Sequence, residues 1–82
     1  MKNVEQTVLK CHTNMMKANN IDKESNISME MTQENGIDSL GIVTLILEIE
    51  EELDMELDAY LADIRKCKTI GELINVIRNV QD

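Results

Sequence analysis

The stretch that decides the fold runs from residue 36 to residue 53 and reads GIDSLGIVTLILEIEEEL. Asp38 has the short acceptor side chain that caps the start of a helix, and apolar residues follow it at once with helical spacing. Five of these residues fall on one arc about 100° wide, which is sufficient for a core face. They are Ile42, Leu45, Ile46, Ile49 and Leu53. The stretch therefore predicts an amphipathic helix near mid-chain.

A second apolar stripe lies on the same helix, outside the core arc. Leu40, Val43 and Leu47 are centred roughly 130° away from the core face at about 100° per residue. Glu50 and Glu51 lie on either side of this stripe. One helix in a domain of this size rarely buries two separate faces, so the stripe is either covered by another helix or exposed for a partner. The helical wheel leaves both interpretations open.

The segment before this helix divides into a first helix and a long loop. From Asn3 to about Lys17, residues recur at helical spacing on one face. That face consists of Val4, Val8, Cys11, His12 and Met15. Residues 18–37 lack a sustained period and are rich in loop formers, and a loop this long in so small a domain is often functional. The candidate apolar anchors of the loop are Ile21, Ile27, Met29 and Met31.

The segment after the central helix predicts a short helix and a longer one. Residues 58–66 are predicted to form the short helix. Leu61 and Ile64 are predicted to face inward from this helix. Leu57 is predicted to anchor the segment that leads into it. Thr69 and Glu72 have the spacing of a capping box, which marks the start of a last amphipathic helix. The chain is therefore predicted to be all-α, with three longer helices, a short third helix and a long first loop.

Composition narrows the possible functions. The chain has 82 residues, enough for a single domain, and a net charge of −8. An acidic surface repels nucleic-acid phosphates and attracts partners with basic patches, so we expect no nucleic-acid binding. No apolar run reaches the roughly 20 residues that span a bilayer, and no N-terminal segment has the form of a signal peptide. We therefore predict a soluble, cytoplasmic monomer that does not insert into membranes.

Cysteine and histidine give no readable metal or catalytic site. Cys11 and Cys67 are too few for a disulfide framework and are predicted to be reduced, mostly buried thiols. Cys11 and His12 are adjacent, so on a helix they point about 100° apart. The chain has no second histidine, and nothing in the sequence places His12 beside a nucleophile. We predict neither a metal centre nor an enzyme.

Ser39 lies where the long loop meets the start of the central helix. Backbone N–H groups and the positive end of the helix dipole point outward in a first turn, so a phosphate ester attached there is favourably placed. Gly36 permits backbone geometry that leaves the serine accessible. The tripeptide from Asp38 to Leu40 is a weak signal by itself, because many unrelated helices begin in this way.

In combination, these motifs resemble the acyl carrier protein family. The likeness is carried by Gly36-Ile37-Asp38-Ser39-Leu40 at the start of a mid-chain helix, by the acidic end of that helix, and by the closing segment 69–77. It covers the chain well from the end of the loop onward and the first helix loosely. The resemblance implies a four-helix bundle of the acyl-carrier type and a freestanding carrier without catalytic activity.

The resemblance also assigns roles by position. It implies that Ser39 receives 4′-phosphopantetheine from coenzyme A through a phosphopantetheinyl transferase, and that Asp38 assists this enzyme and its Mg²⁺. The thiol of the arm then holds an acyl or aminoacyl group as a thioester. Loading and transfer enzymes with basic patches are expected to contact the central helix, which favours exposure of its second stripe. The implied contact residues are Leu40, Val43, Leu47, Glu50 and Glu51.

Three positions near the serine depart from the family pattern. Asn35 replaces the leucine that often precedes the glycine, and Gly41 and Thr44 replace residues that are usually acidic in fatty-acid carriers. These departures favour a specialised carrier, for a polyketide, a peptide or a cell-surface acyl group. Two alternatives stay open: a peptidyl or aminoacyl carrier of a nonribosomal or cell-surface pathway, and an unmodified helical interaction module.

Overall fold

Four α-helices form the fold in a computed structural model, which describes residues 3–81. They are α1 (Val4–Ala18), α2 (Ser39–Leu53), α3 (Leu61–Arg65) and α4 (Ile70–Gln81). Within the described residues there is no strand, and an isolated β-bridge joins the loop to the residue before α4. No helix in this part of the chain is both long and apolar enough to cross a bilayer. The predicted all-α, four-helix class is confirmed.

Aliphatic side chains from all four helices form one core, in which α1 packs against both α2 and α4. The whole predicted face of α1 is buried, and so is Met16, which the sequence pattern did not indicate. On α2, Leu45, Ile46 and Ile49 are buried, while Ile42 and Leu53 pack half-buried against them. The assigned core face of α2 is therefore confirmed.

Side-chain caps define the starts of α2 and α4. Asp38 Oδ1 accepts a hydrogen bond from the Gly41 N–H at 2.6 Å, which makes Asp38 the predicted N-cap. Thr69 Oγ1 accepts from the Glu72 N–H at 3.3 Å, and Glu72 Oε2 accepts from the Thr69 N–H at 2.9 Å. A hydrogen bond from the Lys68 N–H, together with the bond from the Thr69 N–H, holds the pKa of Glu72 below its ordinary value. The predicted capping box is formed.

Backbone contacts to the start of α4 hold the long loop. The Ile27 carbonyl accepts from the Gly71 N–H at 2.9 Å, and the Met31 N–H donates to the Lys68 carbonyl at 2.8 Å. The side chain of Ile27 is 53% exposed, so its predicted role as an apolar anchor is wrong: its backbone makes the contact instead. The other three predicted anchors are half-buried, namely Ile21, Met29 and Met31.

The third helix is shorter than residues 58–66. A 3₁₀ turn at Asp58–Tyr60 precedes α3, and neither of these two elements has a side-chain cap at its start. An uncapped start favours the tighter 3₁₀ turn, which satisfies some of the orphan backbone groups. Leu57 is fully buried and anchors the approach, as predicted, while Ile64 is buried and Leu61 half-buried.

Candidate functional site

Ser39 is the first residue of α2, and its side chain is exposed. Asp38 precedes it in an extended conformation and turns one carboxylate oxygen back to cap the helix. The serine hydroxyl is thus presented to solvent at the positive end of a 15-residue helix. This geometry suits a phosphate ester, because backbone dipoles there stabilise negative charge.

An open cleft of about 510 Å³ lies directly beside Ser39. Ser39 and Asp38 line it together with Arg65 at the end of α3 and Cys67 just beyond. The apolar part of its lining comes from Met31, Ile37 and Ile42. An exposed hydroxyl, a helix start and a neighbouring guanidinium fit a covalently attached phosphodiester, and the cleft gives an arm room to lie along the protein.

The two cysteines differ in environment. Cys11 is buried as predicted, whereas Cys67 is only half-buried. Burial raises the pKa of the Cys67 thiol, and the negative charges of Glu72 and Asp63 raise it further. A raised pKa keeps a thiol protonated near neutral pH, so Cys67 lines the cleft as a weak nucleophile.

The loop meets α2 at very close range between two glycines. Gly36 has φ +80°, a left-handed conformation that glycine adopts at little cost. Its carbonyl oxygen lies inside the space that a Cβ on Gly41 would occupy, and Asp38 Oδ1 lies 3.0 Å from that position. Gly41 therefore does more than remove a charge from the usual family pattern: it lets the loop end rest on the first turn of α2.

Substituting Gly41→Ala is expected to lower the free energy of unfolding by about 1–3 kcal/mol, because the new methyl group overpacks this contact. In most helices a Gly→Ala change stabilises the fold by about 1 kcal/mol. The sign of the measured change in unfolding free energy therefore shows whether the close contact at Gly41 exists. Urea unfolding measures it. Thr44→Ala, exposed on the same helix, is the control and is expected to stay within about 0.5 kcal/mol of wild type. A Gly41→Ala chain more stable than wild type would contradict the close contact.

The second stripe of α2 is exposed beside Ser39. Leu40, Val43 and Leu47 have 80%, 41% and 56% of their surface exposed. Of the two interpretations left by the helical wheel, exposure is the one that the structure has. Contact of these residues with partner enzymes stays a prediction.

Acidic side chains surround the far end of the stripe. A groove of about 620 Å³ runs beside Leu47, and its lining among the described residues includes five carboxylates and no basic side chain. Glu51 is exposed, but Glu50 is half-buried, and its Oε2 accepts from the Leu57 N–H at 2.6 Å. Glu50 thus has a structural role, because it holds the segment that follows α2. The sequence did not indicate this role. Its contact with partners stays a prediction.

His12 is not arranged as a catalytic base for Ser39. Its ring nitrogens lie within hydrogen-bonding distance of the Ser25 hydroxyl and the Asn35 carbonyl. Among residues 3–81, no group of three or more His, Cys, Asp or Glu side chains is placed to hold a metal ion. The described site therefore presents an exposed hydroxyl at a helix start, with an apolar and acidic surface beside it.

Comparison with known proteins agrees with this geometry. The family model described as "Phosphopantetheine attachment site" matches residues 16–77, which assigns the chain to the carrier domains that bear a phosphopantetheine arm. Acyl carrier proteins of three Clostridium perfringens strains, SM101, ATCC 13124 and 13, are each 43% identical over 56 residues, 66% of this chain and 71% of the relative. The chain belongs to the acyl carrier protein family. No solved structure matches it significantly.

Proposed function

We propose that this chain carries acyl groups as thioesters on a 4′-phosphopantetheine arm attached to Ser39, and presents them to biosynthetic enzymes. Membership of the acyl carrier protein family supports the carrier function. The observation that supports Ser39 as the attachment point is its exposed hydroxyl at the first residue of α2. On this proposal the protein is a monomeric, cytoplasmic, non-catalytic partner of enzymes.

Attachment uses chemistry that the start of α2 favours. The Ser39 oxygen forms a phosphodiester with the arm as the pyrophosphate bond of coenzyme A breaks, 3′,5′-adenosine bisphosphate leaves, and a base of the transferase takes the hydroxyl proton. Asp38 uses Oδ1 to cap α2, which leaves its second oxygen for the Mg²⁺ that the transferase brings. The positive end of the α2 dipole then stabilises the phosphodiester. When bound, the arm supplies the thiol that forms the thioester.

Partner enzymes dock on the face of α2 that continues from Ser39. The exposed stripe gives them apolar contact, and the acidic groove attracts basic patches. Such attraction speeds encounters and weakens with salt, because exposed charges are screened. Tethering keeps the cargo at a high effective concentration near each enzyme.

The test is loading followed by release. The chain is incubated with a promiscuous phosphopantetheinyl transferase and either coenzyme A or acetyl-coenzyme A, and intact mass is measured. We expect a gain of one phosphopantetheine or one acetylated phosphopantetheine, with the acetyl group alone removed by hydroxylamine, which cleaves thioesters. A chain that stays unmodified while a control carrier is converted would favour the unmodified interaction module instead.

A further inference from the structure

A buried histidine fastens the long loop to α1. His12 has 0% of its surface exposed, its Nε2 lies 2.8 Å from the Asn35 carbonyl oxygen, and its Nδ1 lies 2.6 Å from Ser25 Oγ. A carbonyl oxygen can only accept, so in the neutral ring Nε2 carries the proton and Nδ1 accepts from the Ser25 hydroxyl. One side chain of α1 thereby ties two points of the loop that lie ten residues apart in the chain.

The point tied by Nε2 is the entrance to the Ser39 site. Asn35 ends a 3₁₀ turn within the long loop, Gln33–Asn35, and directly precedes Gly36, whose carbonyl rests against Gly41. The Asn35 side chain is used as well, because its Nδ2 donates to the Glu30 carbonyl at 2.8 Å. The bond from His12 therefore fixes the carbonyl of Asn35, directly before the contact between Gly36 and Gly41 that sets the start of α2.

We propose that His12 is a positioning residue for attachment of the arm to Ser39. It does not touch the serine. Its hydrogen bond to the Asn35 carbonyl holds the loop end against the first turn of α2, in the geometry that the transferase must recognise. This inference rests on the proposed modification of Ser39, and it adds a residue on α1 that the family motif does not contain.

The same contacts make the attachment of the loop sensitive to acid. The two ring partners are an uncharged hydroxyl and an uncharged carbonyl, and the charged group on this network is the Lys23 ammonium, which donates to Asn35 Oδ1 at 3.0 Å. A protonated His12 ring would thus be a buried cation, and the same hydrogen-bond network already includes the Lys23 ammonium. Burial lowers the pKa of His12 from its ordinary 6.5, although the Asn35 carbonyl opposes this.

The direction of the pH effect follows from this lowered pKa. The unfolded chain takes up the proton near pH 6.5, whereas the folded chain takes it up only at lower pH. The contribution of the neutral ring to stability is therefore fully present above pH 6.5 and is lost as the pH falls through the lowered pKa of the folded state. In the folded chain we expect the loop end to loosen only as the pH falls through the lowered pKa, because the buried ring then carries a charge and Nδ1 no longer accepts from the Ser25 hydroxyl.

Two amide variants separate the roles of the two ring nitrogens. In His12→Gln the amide nitrogen lies near the former Nε2 and can still donate to Asn35, whereas the shorter amide in His12→Asn cannot reach it. We expect His12→Asn to lower kcat/KM for phosphopantetheine attachment about 10-fold and His12→Gln to stay within about 3-fold of wild type, since small misplacements of a reacting group cost this much or more. Intact mass spectrometry gives the rates, and circular dichroism checks helicity.

The pH profile distinguishes positioning from simple loss of packing. The ratio of the wild-type rate to the His12→Gln rate cancels the pH dependence of the transferase itself. We expect this ratio to fall only as the pH drops through the lowered pKa of His12 in the folded chain, because glutamine has no proton to gain. In the wild-type chain, a long-range ¹H–¹⁵N spectrum should show the proton of the neutral ring on Nε2.

Each outcome bears on a separate claim. If the wild-type chain is modified but both amide variants match it at every pH, the role of His12 is overturned and attachment to Ser39 stands. If His12→Asn does not fold, the ratio of the wild-type rate to the His12→Gln rate still decides, and a ratio that stays flat while the nitrogen spectrum shows the wild-type ring becoming protonated overturns the proposal. A proton on Nδ1 would also overturn it. A wild-type chain that is never modified would instead defeat the proposed function.

Discussion

Substitution of Ser39→Ala is expected to abolish phosphopantetheine attachment completely, while wild type is converted to a single modified species. The variant removes the oxygen that becomes part of the phosphodiester, and no other group at the start of α2 can replace it. The fold should be unaffected, because the side chain is exposed and Asp38 supplies the cap. Intact mass after incubation with coenzyme A and a promiscuous transferase measures the effect.

The matched control is another exposed serine. Ser28 lies in the long loop, and Ser28→Ala should be converted at the wild-type rate. Modification of the Ser39→Ala chain would show that the arm is attached elsewhere. If instead the alanine variant has lost helicity by circular dichroism, the serine has a structural role that its exposure does not predict.

The substitutions Val43→Asp and Leu47→Asp are expected to impair transfer by partner enzymes while leaving the helix content of the chain intact. Each variant places a charge on the exposed stripe, where it costs little in the free carrier but must be desolvated in a complex. A central contact of this kind is typically worth more than about 1.4 kcal/mol, so kcat/KM should fall at least about 10-fold. Transfer of an acyl group from the modified chain to a cognate enzyme is the measurement.

Leu45→Asp on the same helix is the matched control for these two variants. Leu45 is fully buried, so the same charge there should unfold the chain. Circular dichroism should therefore separate Leu45→Asp from Leu47→Asp, which lies two residues farther along. If Leu47→Asp unfolds as well, the stripe is part of the core. If both stripe variants transfer acyl groups normally, partners dock on another surface.

The elements with local signals were predictable from the sequence. The start of α2 depends on Asp38 and the Gly41 N–H three residues later, and the start of α4 depends on Thr69 and Glu72, which are also three residues apart. Caps and helical periodicity act within one turn, so a linear pattern contains all their partners. The third helix lacked such a cap, and it is the helix whose length was predicted wrongly.

The contacts that refine the site join distant parts of the chain. His12 binds Asn35 across 23 residues, and Glu50 binds Leu57 across a change of element. Nothing in the spacing of these residues marks them as partners. In the sequence, Gly41 stood out only because an acidic residue is usual there. The Gly36 carbonyl that leaves no room for a side chain at this position comes from the loop, so the sequence did not indicate it. The signal available in advance was the unusual Asn35 itself, a polar residue where the family often has leucine.

The most direct measurement of the central claim is the position of the arm in the modified wild-type chain. The chain has three serines, Ser25, Ser28 and Ser39, and fragmentation of the modified peptides by tandem mass spectrometry can tell them apart. We expect all fragments that carry phosphopantetheine to contain Ser39 and those that end before it to carry none. An arm on Ser25, Ser28 or any other residue would contradict it.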